Sequence, residues 1–531
     1  MKYEFMKIKK YIMSFLIESE WQNIKSNIIK VKDKNVTKYN INNIINNIKK
    51  NDYTKQCFIN ELMLFLKNGL KYNKCTITEH EWVKYYKQLL YDEKLISSLP
   101  QIIDFDGLDN INIFELNILM EKCKLIQYDI NLQTKLLNLF NECWKYKKIP
   151  DEWLISKIKS IHKNGDKNIC NNYRGINLIN WACKLYSKIL NNRLKPIMEN
   201  LISEEQSGFR KNRSIKDNIY ILHEIIRNRK KETYFAFIDF KKAFDNVDRE
   251  ILWNIMHLHG YPPHLINAIK SLYENTRIIV KSKVIKINKG IKQGCAVSLS
   301  LFNIYIDHIM NEWKQHNIKG IELNDNTNLN YILYADDLVI ISTNKNDFIH
   351  GIDMLNNLSK KYKLPISFEK TKVMAFKGTE TINIEIYIDD NLIQQVDCFT
   401  YLGYEISYTN KINLLYKLNQ FDKICNLIIN SLKDKVDIKI IIHVYKILAV
   451  PIFTSRFIFY ELSSEEENII TRHEMHFLKN ILDFNLEDDI IRQILDVYKL
   501  VDKINESKYK WKERLSSMDY DRLPMKIVNF H

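Results

Sequence analysis

Apolar and polar positions change their spacing three times along this chain, and each change marks a different kind of structure. Up to about residue 100 apolar side chains recur at roughly helical intervals among basic ones, as in 42–49 and 58–66, which predicts helices. The acidic, glycine-containing run IIDFDGLDNIN (102–112) reads as a linker or turn, and helical periodicity resumes over 112–144. From Ile149 onward the texture is one of short apolar runs broken by particular polar residues: IKSIHKNGDKN, NNYRGINLIN, TYFAFID, VIKINKGIKQG and NYILYADDLVIIS. These predict strands and turns set among helices, an α+β pattern. After Gly403 the chain is expected to be helical to its end, with a break at Pro451. No internal repeat is visible. The pattern divides the chain into a helical extension and linker (1–144), an α+β domain (145–405) and a helical segment (406–531).

Composition narrows the class. With 531 residues, 46% apolar and 27% charged, the chain can bury a large core, so disorder is an unlikely description of it. The formal charge of +15 favours a polyanionic partner, because lysines and arginines that neutralise phosphates release condensed counterions. Charge alone does not separate nucleic acid from an anionic membrane. The nine cysteines are scattered without a C-x-x-C pair, which argues against a zinc knuckle or a disulfide framework and for reduced thiols. The apolar patch at 12–17 is too short for a signal core, and the greasiest later stretch, 438–460, carries Lys439, His443, Lys446 and Arg456. A soluble intracellular protein of nucleus and cytoplasm, without a membrane partner, is expected.

The candidate chemistry lies in three carboxylates. Two apolar runs, 331–334 and 338–342, enclose Ala335, Asp336 and Asp337. Burying adjacent acids in a tight hairpin pushes them toward neutrality unless a cation keeps them charged. A plain Asp-containing turn is the competing reading of any lone Asp-Asp pair. The second acidic position shifts the balance: an apolar run, Tyr234 to Ile238, ends on Asp239 and is followed by KKAFD and a helical pattern up to Gly260. Three carboxylates from two adjacent strands suit Mg²⁺, which takes oxygen ligands and completes its shell with substrate phosphates.

In order, WLISKIKSIHKNGDKNICNNYRGINLI, SEEQSGFRKNRSIKDNI, FIDFKKAFD, GIKQGCAVSLSLFN, YADD, FEKTKVM and FTYLGYEIS resemble the motifs of reverse transcriptases, and of their non-LTR, LINE-type branch in particular. The resemblance spans about residues 145–405. It implies a right-hand polymerase: fingers, a palm with a small antiparallel sheet, and a helical thumb fitted by 412–482, preceded by a helical N-terminal extension. It implies further that Asp239 and Asp336 ligate metal directly, that Asp337 completes the acidic centre, and that the Phe240 carbonyl helps hold one of two Mg²⁺ ions, with Mn²⁺ as a substitute.

By position, the resemblance assigns Lys163 and Arg174 to the incoming triphosphate, Phe244 to a steric gate against a ribose 2′-hydroxyl, and Gln293 with Gly294 to the nucleotide and template pocket. Lys370 matches a lysine proposed as general acid for pyrophosphate, and Tyr401, Leu402 and Gly403 match the primer grip. The implied partners are template RNA, primer or target DNA and dNTPs, with a separate endonuclease as a further candidate, since the usual endonuclease of such elements is not expected within this sequence. Product duplex is expected in a basic groove between fingers and thumb. WVKYYKQLL (82–90) and FNECWKYKKIPDEW (140–153) resemble the region before the polymerase core, and WKERLSSMDYDRLP (511–524) a short C-terminal segment of some LINE-like proteins.

The chain departs from the family pattern in three places. CKLIQYDINLQ (123–133) lacks a glycine expected on the template side, Ala296 and Leu299 stand where proline is usual, and Ser367 stands where asparagine is frequent. None removes a metal ligand. Two other readings stay open on sequence: a catalytically silent nucleic-acid-binding remnant, and an RNA-dependent RNA polymerase, against which Phe244 argues. RNRKK (227–231) reads as a solvated helix face rather than a nuclear address.

Overall fold

The computed structural model describes residues 77–92, 109–120, 130–163, 165–228, 231–323, 327–410, 413–434, 436–482 and 486–528. The helices expected at 42–49 and 58–66, the 12–17 run and most of CKLIQYDINLQ fall outside these residues. Residues 77–410 together with 517–528 make one compact unit, and 413–516 a second.

The first unit is built on β3 (Thr233–Ile238), all six residues of which are buried. Such a run without polar interruption belongs to a strand covered on both faces. Tyr234, Ala236 and Ile238 enter the main core, whereas Phe235 and Phe237 point to the other face against Phe376 and Phe399. β3 pairs antiparallel with β9 (Asp337–Ser342) on one side and with β10 (Lys372–Lys377) on the other. β6 (Ile321–Glu322) and β7 (Asn328–Leu329) form a small antiparallel pair, and β8 (Tyr331–Tyr334) closes a hairpin with β9, its last pair being Tyr334 with Asp337. The helices Trp181–Leu201, Arg249–Leu258, Ser298–Lys314 and Lys345–Lys361 supply much of the rest of that core, with Leu194, Leu252, Phe302 and Leu355 all fully buried.

A second sheet has the order β2-β1-β4-β5, formed by β1 (Ile155–His162), β2 (Tyr173–Leu178), β4 (Arg277–Val280) and β5 (Lys283–Lys286). The helix Glu79–Leu90, started by a capping box between Thr78 and Glu81, packs on it: Trp82 meets Tyr173 edge-on and the Tyr86 hydroxyl bonds Ser160 at 2.9 Å.

Gly403 does not begin a continuous helical region. Tyr404–Ser407 pairs with Cys398–Tyr401 in a hairpin, and helix resumes at Leu414. Alternation of Tyr404 and Ile406 inward with Glu405 and Ser407 outward is the strand signal, too short to override the helical pattern beyond it. In the second unit Leu414–Leu432, Ile438–Leu448, Ser464–Leu482 and Leu500–Ser516 enclose their own core, and Ile438–Leu448 ends just before Pro451, which opens a new short helix. Its one buried ion pair joins, among the described residues, Arg492 to Glu474 at 2.8 Å, and Tyr445 and the Leu500 amide also donate to Glu474. Among the described residues no helix is long and apolar enough to cross a membrane. Among the described cysteines, Cys143, Cys183, Cys295 and Cys425 are buried free thiols.

Candidate active site

Asp239 is the first residue past the end of β3, and its backbone is laced to the segment entering β10. Its amide donates to Thr371 Oγ1 at 3.3 Å, its carbonyl accepts from the Ser367 amide at 2.7 Å, and Phe240 bridges Ile366. The pairing of β3 with β9 sets Ile238 opposite Leu338, so Asp239 comes out beside the β8–β9 turn that carries Asp336 and Asp337. The register of two strands therefore gathers acids a hundred residues apart.

That turn is strained and clamped. Ala335, a non-glycine residue, sits at φ 58°. Gln206, fully buried, holds it from both sides: the side-chain oxygen accepts from the Ala335 amide at 2.9 Å and the side-chain nitrogen donates to the Ala335 carbonyl at 3.3 Å. The neighbouring Ser207 amide donates to the Leu333 carbonyl and the Leu333 amide to Glu205. Gly208 permits this approach, since a Cβ there would lie 2.2 Å from the Ala335 amide nitrogen. From the other flank Tyr401, buried, donates its hydroxyl to the Asp337 carbonyl at 3.0 Å.

The three carboxylates repel one another. Burial, and then the Asp239 charge, raise Asp336 above the ordinary range, and burial followed by the Asp336 and Asp239 charges pushes Asp337 up to about 6, even though Asp337 keeps an exposed side toward solvent. Asp239 Oδ2 is sealed from solvent and accepts no hydrogen bond among the described residues; Lys370 Nζ stands 3.5 Å from it. A sealed carboxylate oxygen with no donor, beside two acids held partly toward neutrality, fits a divalent cation. Among the described residues no three acid, imidazole or thiolate groups form a metal cage on their own. Mg²⁺ seldom uses one, relying on one or two carboxylates plus substrate phosphates. The residues present thus fit that ion.

Lys163, Arg174 and Lys370 are the cations that face the acids. Register opposes Ile161 to Arg174 in the β1–β2 hairpin, with Lys163 just beyond β1, its amide bonded to the Asn172 carbonyl. Burial and then the charge of Arg174 depress Lys163, whereas Asp336 and Asp239 hold it up. Lys242, which sequence reasoning did not single out, belongs to the same cluster. Its Nζ donates to the carbonyls of Asn171 (2.9 Å) and Tyr173 (3.2 Å), and burial followed by Lys163 lowers its pKa. It sits at φ 45° and straps the segment after Asp239 to the basic hairpin. Gln206 lies within SEEQSGFR, a motif that by itself gives it no role; both residues act through backbone carbonyls and amides far off in sequence, which no local pattern reports.

The remaining predicted residues are placed as follows. Phe244 is half-buried on Phe302. Gln293 donates its amide to both oxygens of Asp245, which burial raises to about 6. Gly294, at φ 122°, makes its close approach to protein, since a Cβ would lie 2.6 Å from the Asn177 carbonyl. Leu402 and Gly403, both at positive φ, form the turn after Tyr401.

A buried antiparallel sheet with one acid leaving its central strand, two more in the adjoining hairpin and a basic hairpin alongside is the palm and fingers of a right-hand polymerase. Residues 161–406, just under half of the chain, match the family described as reverse transcriptase (RNA-dependent DNA polymerase), and this part resembles the non-LTR retrotransposon branch of it. Similar proteins include the transposon TX1 uncharacterized 149 kDa protein of Xenopus laevis (23% identical, 38% of this chain and 16% of that one). The Pol polyprotein from the type-1 retrotransposable element R2 of Nasonia vitripennis is 24% identical over 39% of this chain and 20% of its own length. The probable RNA-directed DNA polymerase from transposon BS of Drosophila melanogaster is 24% identical over 50% of this chain and 31% of its own. The chain thus matches less than a third of each of these relatives. Among solved structures, apo telomerase of Candida tropicalis aligns with TM-score 0.38 at 12% identity over 76% of this chain and 75% of that one. Telomerase of Candida albicans with a fragment of telomeric RNA aligns with TM-score 0.37 at 12% identity over 76% and 69%.

Proposed function

We propose that this chain is an RNA-directed DNA polymerase that extends a primer 3′-hydroxyl with dNTPs on an RNA template. The observation carrying the proposal is the electrostatic coupling of Asp239, Asp336 and Asp337, one with a sealed oxygen lacking a donor, beside Lys163, Arg174, Lys242 and Lys370. That arrangement has a place for a divalent cation and for a polyphosphate next to each other.

Asp239, Asp336 and Asp337 would hold two Mg²⁺ ions, with the Phe240 carbonyl as a further oxygen ligand. The ions, when bound, lower the pKa of the primer hydroxyl and stabilise the pyrophosphate leaving from the α-phosphorus. Arg174 grips triphosphate oxygens with its planar fork, and Lys163 adds a point charge. Phe244 excludes a ribose 2′-hydroxyl. Lys370, 3.5 Å from Asp239, would pass a proton to pyrophosphate. Gln293 and Gly294 shape the pocket floor through Asp245 and Asn177. Template RNA and primer or target DNA are the macromolecular partners, and a soluble protein reaching the nucleus is the setting this implies.

The test is primer extension on poly(rA)/oligo(dT) with dTTP and Mg²⁺, comparing wild type with the Asp336→Asn, Asp337→Asn protein. Incorporation by wild type that the double variant loses is the expected result. A folded, RNA-binding wild type with no incorporation would replace this reading with that of a silent nucleic-acid-binding remnant.

A further inference from the structure

After the helical unit the chain returns to the catalytic unit, and residues 517–528 make contacts there that the chemistry above does not use. The helix Leu523–Val528 lies on the helix Ile215–Arg227 with Leu523 and Ile527 buried. The residue before it, Arg522, is only 12% exposed in its side chain and donates to three acceptors: Glu204 Oε1 at 3.0 Å, the Asn212 carbonyl at 3.2 Å and Asp217 Oδ2 at 2.8 Å. The Leu523 amide adds a bond to Glu204 at 3.3 Å, and Arg213 pairs with the same carboxylate. Asp217 is 1% exposed, so the charge that Arg522 meets there is fully desolvated.

These acceptors bracket the 203–214 loop, which has little regular structure of its own and holds two non-glycine residues at positive φ, Phe209 (59°) and Asn212 (58°). A loop in that state persists only when its surroundings over-determine it. From inside, Arg210 binds the carbonyls of Ser203 (2.6 Å) and Gln206 (2.9 Å). From outside, the brace is Arg522. What the loop carries is Gln206, the residue whose amide clamps Ala335, the turn residue directly before Asp336.

We infer that Arg522 is a positioning residue of the polymerase site, bracing the 203–214 loop so that Gln206 holds the Asp336–Asp337 turn in its strained form. The inference rests on the polymerase reading given above. Arg522 touches no reacting atom; it acts through Gln206. Displacing a carboxylate by about 1 Å costs roughly a hundredfold in rate, so a loosened clamp affects turnover more than nucleotide affinity.

The experiment compares wild type, Arg522→Ala, Arg522→Lys and, as a control on the same segment, Tyr520→Ala, whose ring is exposed. Two readouts are taken on the full chain: steady-state primer extension, and amide hydrogen exchange at Leu333, Ala335 and Ser207. Arg522→Ala is expected to lower kcat about tenfold or more with the dNTP KM nearly unchanged, and to speed exchange at those three amides about tenfold while β3 and β10 stay protected. Arg522→Lys recovers part of both. Exchange at the turn no faster than in Tyr520→Ala, or faster exchange spread over the whole sheet, overturns the inference. Wild type without extension activity, but with turn exchange that responds to Arg522, would remove the polymerase reading and leave the brace standing.

Discussion

The ring of Phe244 lies flat on that of Phe302, centroids 4.6 Å apart and planes within 15° of parallel. Phe302 is fully buried in the helix Ser298–Lys314, so the position of the Phe244 ring is set by a core residue. If Phe244 is the gate against a 2′-hydroxyl, Phe302 fixes where that gate stands. Phe244→Ala should raise rNTP use relative to dNTP by about a hundredfold, and Phe302→Leu by about tenfold without touching nucleotide. Paired dTTP and UTP extension assays measure both ratios; a Phe302→Leu ratio equal to that of wild type would separate the gate from the stack.

Lys242 holds the palm to the basic hairpin through the Asn171 and Tyr173 carbonyls. Lys242→Met keeps the length of the side chain and removes both bonds, freeing Arg174 and Lys163 to drift from the acids. The expected effect is a dNTP KM raised about tenfold with kcat reduced much less. An unchanged KM with a large loss in kcat would place Lys242 with the reacting atoms instead.

Gly208→Ala would drive a Cβ to 2.2 Å from the Ala335 amide nitrogen, and neither backbone has a flexible end to yield. Extension should fall by about a hundredfold or more, with melting of the 413–516 unit unaffected. Melting followed by calorimetry distinguishes the two units.

Protonation opposes metal binding at this site. A carboxylate raised to about 6, as Asp337 is, leaves the folded state holding a proton that the unfolded chain releases near pH 4. Without divalent ions its penalty is absent below that lower value, grows as pH rises, and is complete above about 6. Metal-free stability of the unit that carries the three acids should therefore fall slightly between about pH 4 and 6, and Asp337→Asn should flatten that slope. With Mg²⁺, the concentration for half-maximal extension should rise toward tenfold per unit below about pH 6. A Mg²⁺ requirement independent of pH from about 5.5 to 7.5 would contradict this account.

In the helical unit Arg492 meets Glu474 in the core, with Tyr445 and the Leu500 amide on the same carboxylate. Arg492→Met strands that charge and should destabilise the unit by about 3–5 kcal/mol. Replacing Glu474 by Gln in the same protein should recover part of the loss, as read by chemical denaturation.

The acidic centre is legible in the order of residues alone. The unbroken apolar run of β3 ending in Asp239, and the apolar-Asp-Asp-apolar hairpin of β8 and β9, are local patterns whose backbone consequences are local, so the strands, the turn and the three acids are legible in order along the chain. The ordered motifs likewise carried the family, which the match over 161–406 bears out. The strand Tyr404–Ser407 escaped because four residues give too few alternations against the helical pattern that follows.

What holds those acids in place comes from long-range packing. Gln206 on Ala335, Lys242 on Tyr173, Phe302 under Phe244 and Arg522 on Asp217 join residues between 58 and 305 positions apart, and the first two work through backbone groups. A backbone carbonyl has the same chemistry at every position, so no side-chain pattern announces which one will be bound. Arg522 is the extreme case: in sequence it is one basic residue among 79, and folding alone gives it three acceptors around the loop that holds the Asp336–Asp337 turn.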